Sequence, residues 1–168
     1  LIREALRYFN INKAIQVATF TTVPTGIGLG SSSTVLIGLI NALSRINNCE
    51  YSALEIAKLA YHIEREILRH SGGVQDQYIA SLGGIQVMRI KESGEVSCKP
   101  LNIDEQIRIR LQNHLVLIFT GQERVSKEVI KSQEHDLTRA FEVYDEIKEI
   151  GIVSVDLITN GDIVGLGM

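Results

Sequence analysis

At the centre of the predicted fold stands Pro24-Thr-Gly-Ile-Gly-Leu-Gly-Ser-Ser-Ser-Thr34, a glycine cluster followed by three serines. It joins a predicted strand, Ile15 to Phe20, to a helix predicted over Ser32 to Arg45, which is apolar nearly all round and should be deeply buried. Glycines let the backbone approach a bulky anion. The first turn of a helix adds unpaired N–H donors and the positive end of the helix dipole. The segment therefore predicts a cradle for phosphate groups, with serine hydroxyls suited to phosphate oxygens or a magnesium ion.

Three other interpretations compete for this segment. A Walker A loop would end in Gly-Lys-Ser or Gly-Lys-Thr, and the segment contains no lysine. A dinucleotide fingerprint needs GxGxxG, but counted from Gly28 the last position is Ser33, and Glu50 follows a helix and an Asn-Asn turn instead of a second strand. For the segment taken alone, a tight turn at a helix entry without any ligand stays open.

Composition places the chain among ordinary globular proteins. Hydrophobic residues make up 45% of its 168 residues and charged residues 22%, which suits one domain, or one domain and a piece of another. The net charge of −3 argues against nucleic acid as a partner. Cys49 and Cys98 have no zinc-like spacing and indicate a reducing, cytoplasmic environment. The apolar run from Val35 to Leu43 is too short to span a membrane, and no secretory signal is evident.

Strands and helices are predicted along the whole chain without regular alternation, which favours the α+β class. A helix covers Leu1 to Phe9, and a second begins at Ser52 with a capping box to Glu55 and should stop at Gly72-Gly73. Ile85 to Ile90 and Val96 to Lys99 read as the two strands of a hairpin, turning at Glu92-Ser-Gly-Glu95. A polar connection leads to an apolar strand over Leu115 to Phe119, and a last helix covers Lys127 to Ile150.

Two segments together resemble the GHMP kinases, the family of galactokinase, homoserine kinase and mevalonate kinase. The first is Pro24-x-x-x-Gly28-Leu-Gly-Ser-Ser, which is similar to the family's phosphate-binding motif. The second is Ile63-Glu-Arg, followed by Gly73-Val-Gln-Asp-Gln-Tyr and Gly83-Gly84. It resembles the sugar-kinase branch, most of all the kinases of D-glycero-D-manno-heptose 7-phosphate, and Leu115-Val-Leu-Ile-Phe-Thr-Gly also fits that branch. The resemblance covers about Ile15 to about Gln133.

This resemblance implies a fold and a division into domains. We expect residues 1–112 to form a ribosomal-protein-S5-like, ATP-binding N-terminal domain, and residues 113–168 to begin a ferredoxin-like C-terminal domain. The family's first motif would lie before Leu1 and its third after Met168, so the sequence is expected to be truncated at both ends. Ser33-Thr34 stands where the family often has alanines, a change that is conservative in size.

The resemblance also implies the roles of individual residues. The residues that would bind the phosphates of ATP are Pro24, Gly26, Gly28, Leu29, Gly30, Ser31, Ser32 and Ser33. Ser32 and Glu64 would hold Mg²⁺. Asp76 would orient or deprotonate the sugar hydroxyl as the catalytic residue. The residues that would contact the substrate are Gly73, Gln75, Asp76 and Tyr78.

The residues themselves support two of these roles. On a helical wheel Glu64 lies only ~60° from the centre of its helix's apolar stripe, and a buried acid costs free energy unless a cation or another group pairs with it. A salt bridge to Arg or Lys is the alternative. Asp76 follows a glycine pair and lies among Gln75, Gln77 and Tyr78, side chains able to hydrogen-bond a polyol. A loop acid that makes an Asx-turn is its alternative. His62, Glu66 and His70 recur every four residues, as a metal-binding stripe or, more simply, as a solvated polar face.

The predicted activity is therefore ATP- and magnesium-dependent phosphorylation of a sugar, with C1 of D-glycero-D-manno-heptose 7-phosphate as the favoured acceptor. A galactose- or fucose-type kinase is the alternative within the family. A GHMP-like sensor that binds ATP and sugar without turnover is the alternative from another class, although a sensor has no chemical need for Glu64 and Asp76 together. We expect no nucleic-acid or membrane partner, and a homodimer is left open.

Overall fold

The computed structural model describes residues 1–22, 28–119 and 137–168, with the backbone alone for residues 137–140. Its elements, in chain order, are α1 (Ile2–Tyr8), α2 (Ser31–Ile46), α3 (Ala53–Tyr61), a π-helix (His62–Ile67), α4 (Gln75–Leu82), β1 (Gln86–Ile90), β2 (Val96–Pro100), α5 (Glu105–His114), α6 (Leu137–Asn160) and α7 (Ile163–Leu166). This mixture agrees with the predicted α+β class. The described residues form two compact units, one before and one after the Gly83–Gly84 junction. The domain boundary expected at residue 112 stays a prediction.

The core of the first unit is built around α2, as its apolar composition predicts. Helices α1, α3 and α4 pack against it. Ser52 caps α3 by accepting from the Glu55 N–H, and the Glu55 carboxylate accepts from the Ser52 N–H, so the predicted capping box is confirmed. The largest fully buried apolar side chains of this core are Leu36, Ile40, Leu43 and Ile63.

Helix α3 continues directly into the π-helix, whose wider turns were not predicted. The Leu68 N–H donates to the carbonyl of Ile63, five residues earlier, at 3.1 Å. The helical segment ends at Ile67, and Arg69 has a left-handed φ of 54°. The prediction that Gly72-Gly73 stops this helix is therefore wrong, because the chain has already turned at Arg69.

The second unit contains the predicted hairpin. Strands β1 and β2 pair antiparallel, with Gln86 opposite Pro100 and Ile90 opposite Val96, and they form the sheet of the described residues. Asp104 caps α5 by accepting from the Gln106 N–H at 2.7 Å. Helix α5 packs against the junction of α6 and α7, where a Cβ on Gly161 would lie 3.2 Å from the Ile107 side chain.

Several element predictions are corrected. Neither Ile15–Phe20 nor Leu115–Phe119 forms a strand, since a strand needs a hydrogen-bonding neighbour and neither has one in the described part of the chain. The side chains of residues 115–119 are instead 58–80% exposed. The last helix runs over Leu137–Asn160, later than the predicted Lys127–Ile150, and residues 127–136 lie outside the described ranges. Helix α5 was predicted as a polar connection, and no element was predicted over α4.

Candidate active site

The predicted phosphate cradle lies at the N-terminus of α2. Gly30 precedes the helix with a φ of +64°, a conformation that side-chain-bearing residues rarely adopt, and Gly28 also has a positive φ. The serines then form the first helical turn, where backbone N–H groups have no partner within the helix. The backbone therefore offers the donors that the sequence predicted. Pro24 and Gly26, assigned to the same cradle, lie outside the described residues.

Glu64 lies behind this turn and is buried, as its place on the helical wheel predicts. Its side chain is 2% exposed. The Ser32 hydroxyl donates to its Oε1 at 3.0 Å, and the Ser33 hydroxyl donates to its Oε2 at 2.9 Å. The Gln77 amide donates to Oε2 at 2.6 Å. Among the described residues no Arg or Lys forms a salt bridge with Glu64, so three neutral donors stabilise this acid.

These contacts decide the charge of Glu64. Burial alone would raise the pKa of its carboxyl, because the charged form loses water. The hydrogen bonds from Gln77, Ser33 and Ser32, together with the charge of Arg65, act in the opposite direction and hold the pKa below its ordinary value. Glu64 is therefore a carboxylate at neutral pH, with its charge directed at the first turn of α2.

Gln77 connects Glu64 to α4. It is fully buried, and its Nε2 makes the 2.6 Å bond to Glu64. Its Oε1 is buried with no hydrogen-bond partner in the described part of the structure. A buried acceptor without a donor costs free energy. The cluster thus contains one oxygen whose hydrogen bonding is incomplete.

Asp76 precedes Gln77 and has different surroundings. It is the second residue of α4, so the alternative of a loop acid does not apply. It is partly exposed and lies beside the cradle: a Cβ built on Gly30 would be 3.3 Å from the Asp76 Cγ. Within the described ranges no side chain or N–H donates to its carboxylate. Helix α4 thus directs Gln77 at Glu64 and places Asp76 beside Gly30.

The structure brings most other predicted site residues to the same region. Gly28 and Leu29 are exposed before α2, and Gln75 is exposed at the start of α4. The Gly73 carbonyl accepts from Arg65 Nε at 3.2 Å. Tyr78 is 5% exposed, so its ring lies largely within the protein.

The stripe of His62, Glu66 and His70 does not assemble as a metal site. His62 Nδ1 lies 2.5 Å from Glu66 Oε2, both side chains being partly exposed. In the described ranges no group of three or more His, Cys, Asp or Glu residues is arranged to hold a metal ion. A polar surface with one hydrogen-bonded His62–Glu66 pair accounts for these residues.

Sequence reasoning missed the contribution of Gln77 and of Arg65. Gln77 was considered a polyol-binding side chain, yet it is a buried donor to Glu64. Helical spacing would have shown its inward direction, had α4 been predicted. Arg65 was only part of a motif, whereas its guanidinium contacts three carbonyls of the segment that leads to α4.

Comparison with known proteins identifies a matching family and several relatives. The family model described as GHMP kinases N terminal domain matches residues 1–84. The chain is 37% identical over 146 residues to the D-glycero-alpha-D-manno-heptose 7-phosphate kinase of Campylobacter jejuni, covering 86% of this chain and 43% of that protein. It is 32% identical over 82 residues to the mevalonate kinase of Saccharolobus solfataricus, covering 49% of this chain and 26% of that protein.

A solved structure shows the same fold. It is the crystal structure of a D-glycero-D-manno-heptose 1-phosphate kinase from Bacteroides thetaiotaomicron, with a TM-score of 0.80 and 29% identity. The match covers 96% of this chain and 49% of that one. The chain therefore spans less than half the length of each of these three relatives.

Proposed function

The chain belongs to the GHMP kinase family, and on this premise we propose that the protein containing it transfers the γ-phosphoryl group of ATP to a hydroxyl of a sugar phosphate. The acceptor that we propose is C1 of D-glycero-D-manno-heptose 7-phosphate. Two relatives that are named as heptose phosphate kinases support this choice of sugar, and a kinase activity of the GHMP type follows from the family.

One observation carries the proposal: the first turn of α2, Glu64 and Asp76 converge on one place. Ser32 and Ser33 contact Glu64 through their hydroxyls, while Asp76 lies beside Gly30. Phosphoryl transfer asks little covalent chemistry of a protein. It needs phosphates held in line, their charge neutralised, and a carboxylate near the attacking hydroxyl. The N–H groups of residues 31–33 would bind phosphate oxygens, and Gly28, Leu29 and Gly30 would form the approach to them.

Magnesium is part of this proposal, and the donor chemistry fits it. Mg²⁺ prefers oxygen ligands and is commonly bound by one or two carboxylates together with the phosphates of a substrate. Glu64 and the exposed Ser32 hydroxyl are oxygen donors 3.0 Å apart at the phosphate cradle. They would hold the ion, which neutralises charge on the phosphates when bound. No second acidic ligand is needed where ATP supplies the remaining oxygens.

Asp76 would act on the sugar. Its carboxylate is partly exposed and has acceptor capacity for an incoming hydroxyl, which it would orient and deprotonate. Gly73 and Gln75 precede it on the exposed side of the same segment and would contact the acceptor. Tyr78, more deeply buried, would line the inner side of that site.

We further propose an S5-like domain over residues 1–112, the start of a ferredoxin-like domain over 113–168, and a cytoplasmic location. No helix of the described residues is long and apolar enough to cross a membrane. Cys49 and Cys98 are free thiols, in keeping with a reducing compartment.

The test is ADP formation by the whole protein with ATP over a panel of sugars and sugar phosphates, with and without Mg²⁺. We expect turnover on a heptose 7-phosphate that requires Mg²⁺ and falls by about 10²-fold or more in Asp76→Asn. Turnover on galactose or fucose alone would replace the heptose by the alternative sugars. Binding of ATP and sugar without turnover would contradict the kinase proposal and indicate a sensor.

A further inference from the structure

Arg65 stands beside Glu64 in the sequence but contacts a different part of the unit. Its guanidinium donates to the Gly73 carbonyl from Nε at 3.2 Å, and from Nη1 to the carbonyls of Ser71 at 2.7 Å and His70 at 3.2 Å. All three acceptors belong to the segment 70–73, which leads from the π-helix to α4. One side chain thus binds most of this connection.

The backbone of the same segment is shaped to receive the guanidinium. Gly72 has a φ of +145°, and a Cβ placed there would lie 2.5 Å from Arg65 Nη2. The His70 N–H also donates back to the Glu64 carbonyl at 3.0 Å. Segment 70–73 is therefore fastened to the π-helix by the Arg65 side chain and by a main-chain bond.

The direct contacts of the Arg65 guanidinium are to these carbonyls. Within the described ranges it forms no salt bridge. Arginine presents five N–H donors in a rigid planar fork, whereas lysine carries three donors at a single point. Lysine keeps the charge but cannot span carbonyls that arginine reaches from both Nε and Nη1.

We propose that Arg65 is a positioning residue: it fixes segment 70–73 so that α4 begins at Gln75 and holds Asp76 beside Gly30. Asp76 is three residues after Gly73, the last carbonyl that Arg65 binds. A displacement of the Gly73 carbonyl would therefore also displace Asp76. The inference rests on the proposed kinase function, because it assigns Asp76 a reaction to serve.

The experiment compares Arg65→Lys with Arg69→Lys in the whole protein. Arg69 immediately precedes segment 70–73, is exposed and has no side-chain hydrogen bond in the described part of the structure. Its variant therefore makes the same chemical change beside the segment without removing a contact. A misplacement of about 1 Å can cost about 10²-fold in rate. We expect kcat of Arg65→Lys to fall about 10- to 100-fold with KM for ATP within about two-fold, and Arg69→Lys to match the wild type.

Amide hydrogen exchange provides a readout that needs no activity. Arg65→Lys should exchange faster over residues 70–77 and at the wild-type rate in α2. In Arg65→Gly, added guanidinium ion should restore both the slow exchange and part of kcat. If Arg65→Gly does not fold, the lysine variant alone decides.

Wild-type kcat and wild-type exchange in Arg65→Lys would overturn the proposal. So would a fall in kcat without faster exchange over residues 70–77, or a parallel loss of ATP affinity and of the whole fold. A wild-type protein without kinase activity would contradict the proposed function instead. In that case the exchange result still decides whether Arg65 holds the segment.

Discussion

Glu64 and Asp76 are acids of the same unit, yet their surroundings are opposite. Glu64 is 2% exposed and receives three hydrogen bonds, while Asp76 is partly exposed and receives none from the described residues. A buried charge must be satisfied by the protein, whereas a solvated one is satisfied by water. The difference indicates that the region of Glu64 is preorganised by folding, and that the acceptor capacity of Asp76 is left to a ligand.

The largest expected effect is a loss of kcat when the carboxylate of Asp76 is removed. Asp76→Asn should lower kcat by about 10²–10⁴-fold, the usual contribution of a general base, because an amide cannot take the proton of the sugar hydroxyl. The melting temperature should stay close to that of the wild type, because no described protein group depends on this carboxylate. The control is Asp156→Asn, an exposed acid of α6. If Asp76→Asn lost as much stability as a Glu64 variant, the distinction between the two regions would be wrong.

Substitution of Glu64 is expected to lower the stability of the folded protein. In Glu64→Gln the two serine hydroxyls and the Gln77 amide lose a charged acceptor, and the free energy of unfolding should fall by about 1–3 kcal/mol. Urea unfolding measures this change. Glu66→Gln, two residues along and exposed, should stay within about 0.5 kcal/mol of the wild type. Equal effects of the two substitutions would show that the donors around Glu64 contribute little.

The difference in stability between the wild type and Glu64→Gln should depend on pH. Because the Glu64 pKa is lowered in the folded protein, its contribution to stability is complete above the unfolded-state pKa of about 4.3 and is lost as pH falls through the folded pKa. The gap in unfolding free energy between wild type and Glu64→Gln should therefore be constant from pH 7 to about 5.5 and shrink below about 4. A gap that widens on acidification would mean that burial outweighs the hydrogen bonds.

The smallest expected effect is a difference in stability between the alanine variants of Ser32 and Ser33. Ser33 is 1% exposed and Ser32 is exposed, although both hydroxyls donate to Glu64. Ser33→Ala should lower the unfolding free energy by about 1 kcal/mol, and Ser32→Ala by a few tenths, because water replaces the lost donor only at the exposed position. Ser32→Ala should instead raise the Mg²⁺ concentration needed for half-maximal activity. The reverse order of the two stabilities would contradict the burial of this cluster.

The predictable parts of this molecule are those with a local signal. The glycine–serine segment, the apolar face of α2, the Ser52–Glu55 capping box and the hairpin of β1 and β2 each follow from neighbouring residues. The inward direction of Glu64 also followed, because helical spacing places it near the stripe of Ile56, Leu59 and Ile63. The carboxylate's partners did not follow, since Ser32, Ser33 and Gln77 come from two other helices.

The unpredicted parts lack such a signal or depend on distant partners. Helix α5 has no buried residue, so no apolar stripe marks it, although Asp104 before Glu105 and the Glu105–Arg108 pair are cues for a helix. Helix α4 begins soon after a glycine pair, which suggested a loop. The residues of Ile15–Phe20 and Leu115–Phe119 favour strands in themselves, but pairing is settled by another strand and not by local preference.

The π-helix at His62–Ile67 fixes how this part of the chain tolerates insertion and deletion. Its hydrogen bond joins residues that are five apart, not four. Each turn therefore contains about one residue more than a turn of the α-helix that precedes it. Deletion of Glu66 or Ile67 would let the turn close as an α-helix and leave the residues after it facing the same way. Deletion of one residue within α3 would instead rotate everything after it by about 100° about the axis, and Glu64 would lose its partners. In a length scan, single deletions within α3 should therefore lower the melting temperature more than deletion of Glu66 or Ile67.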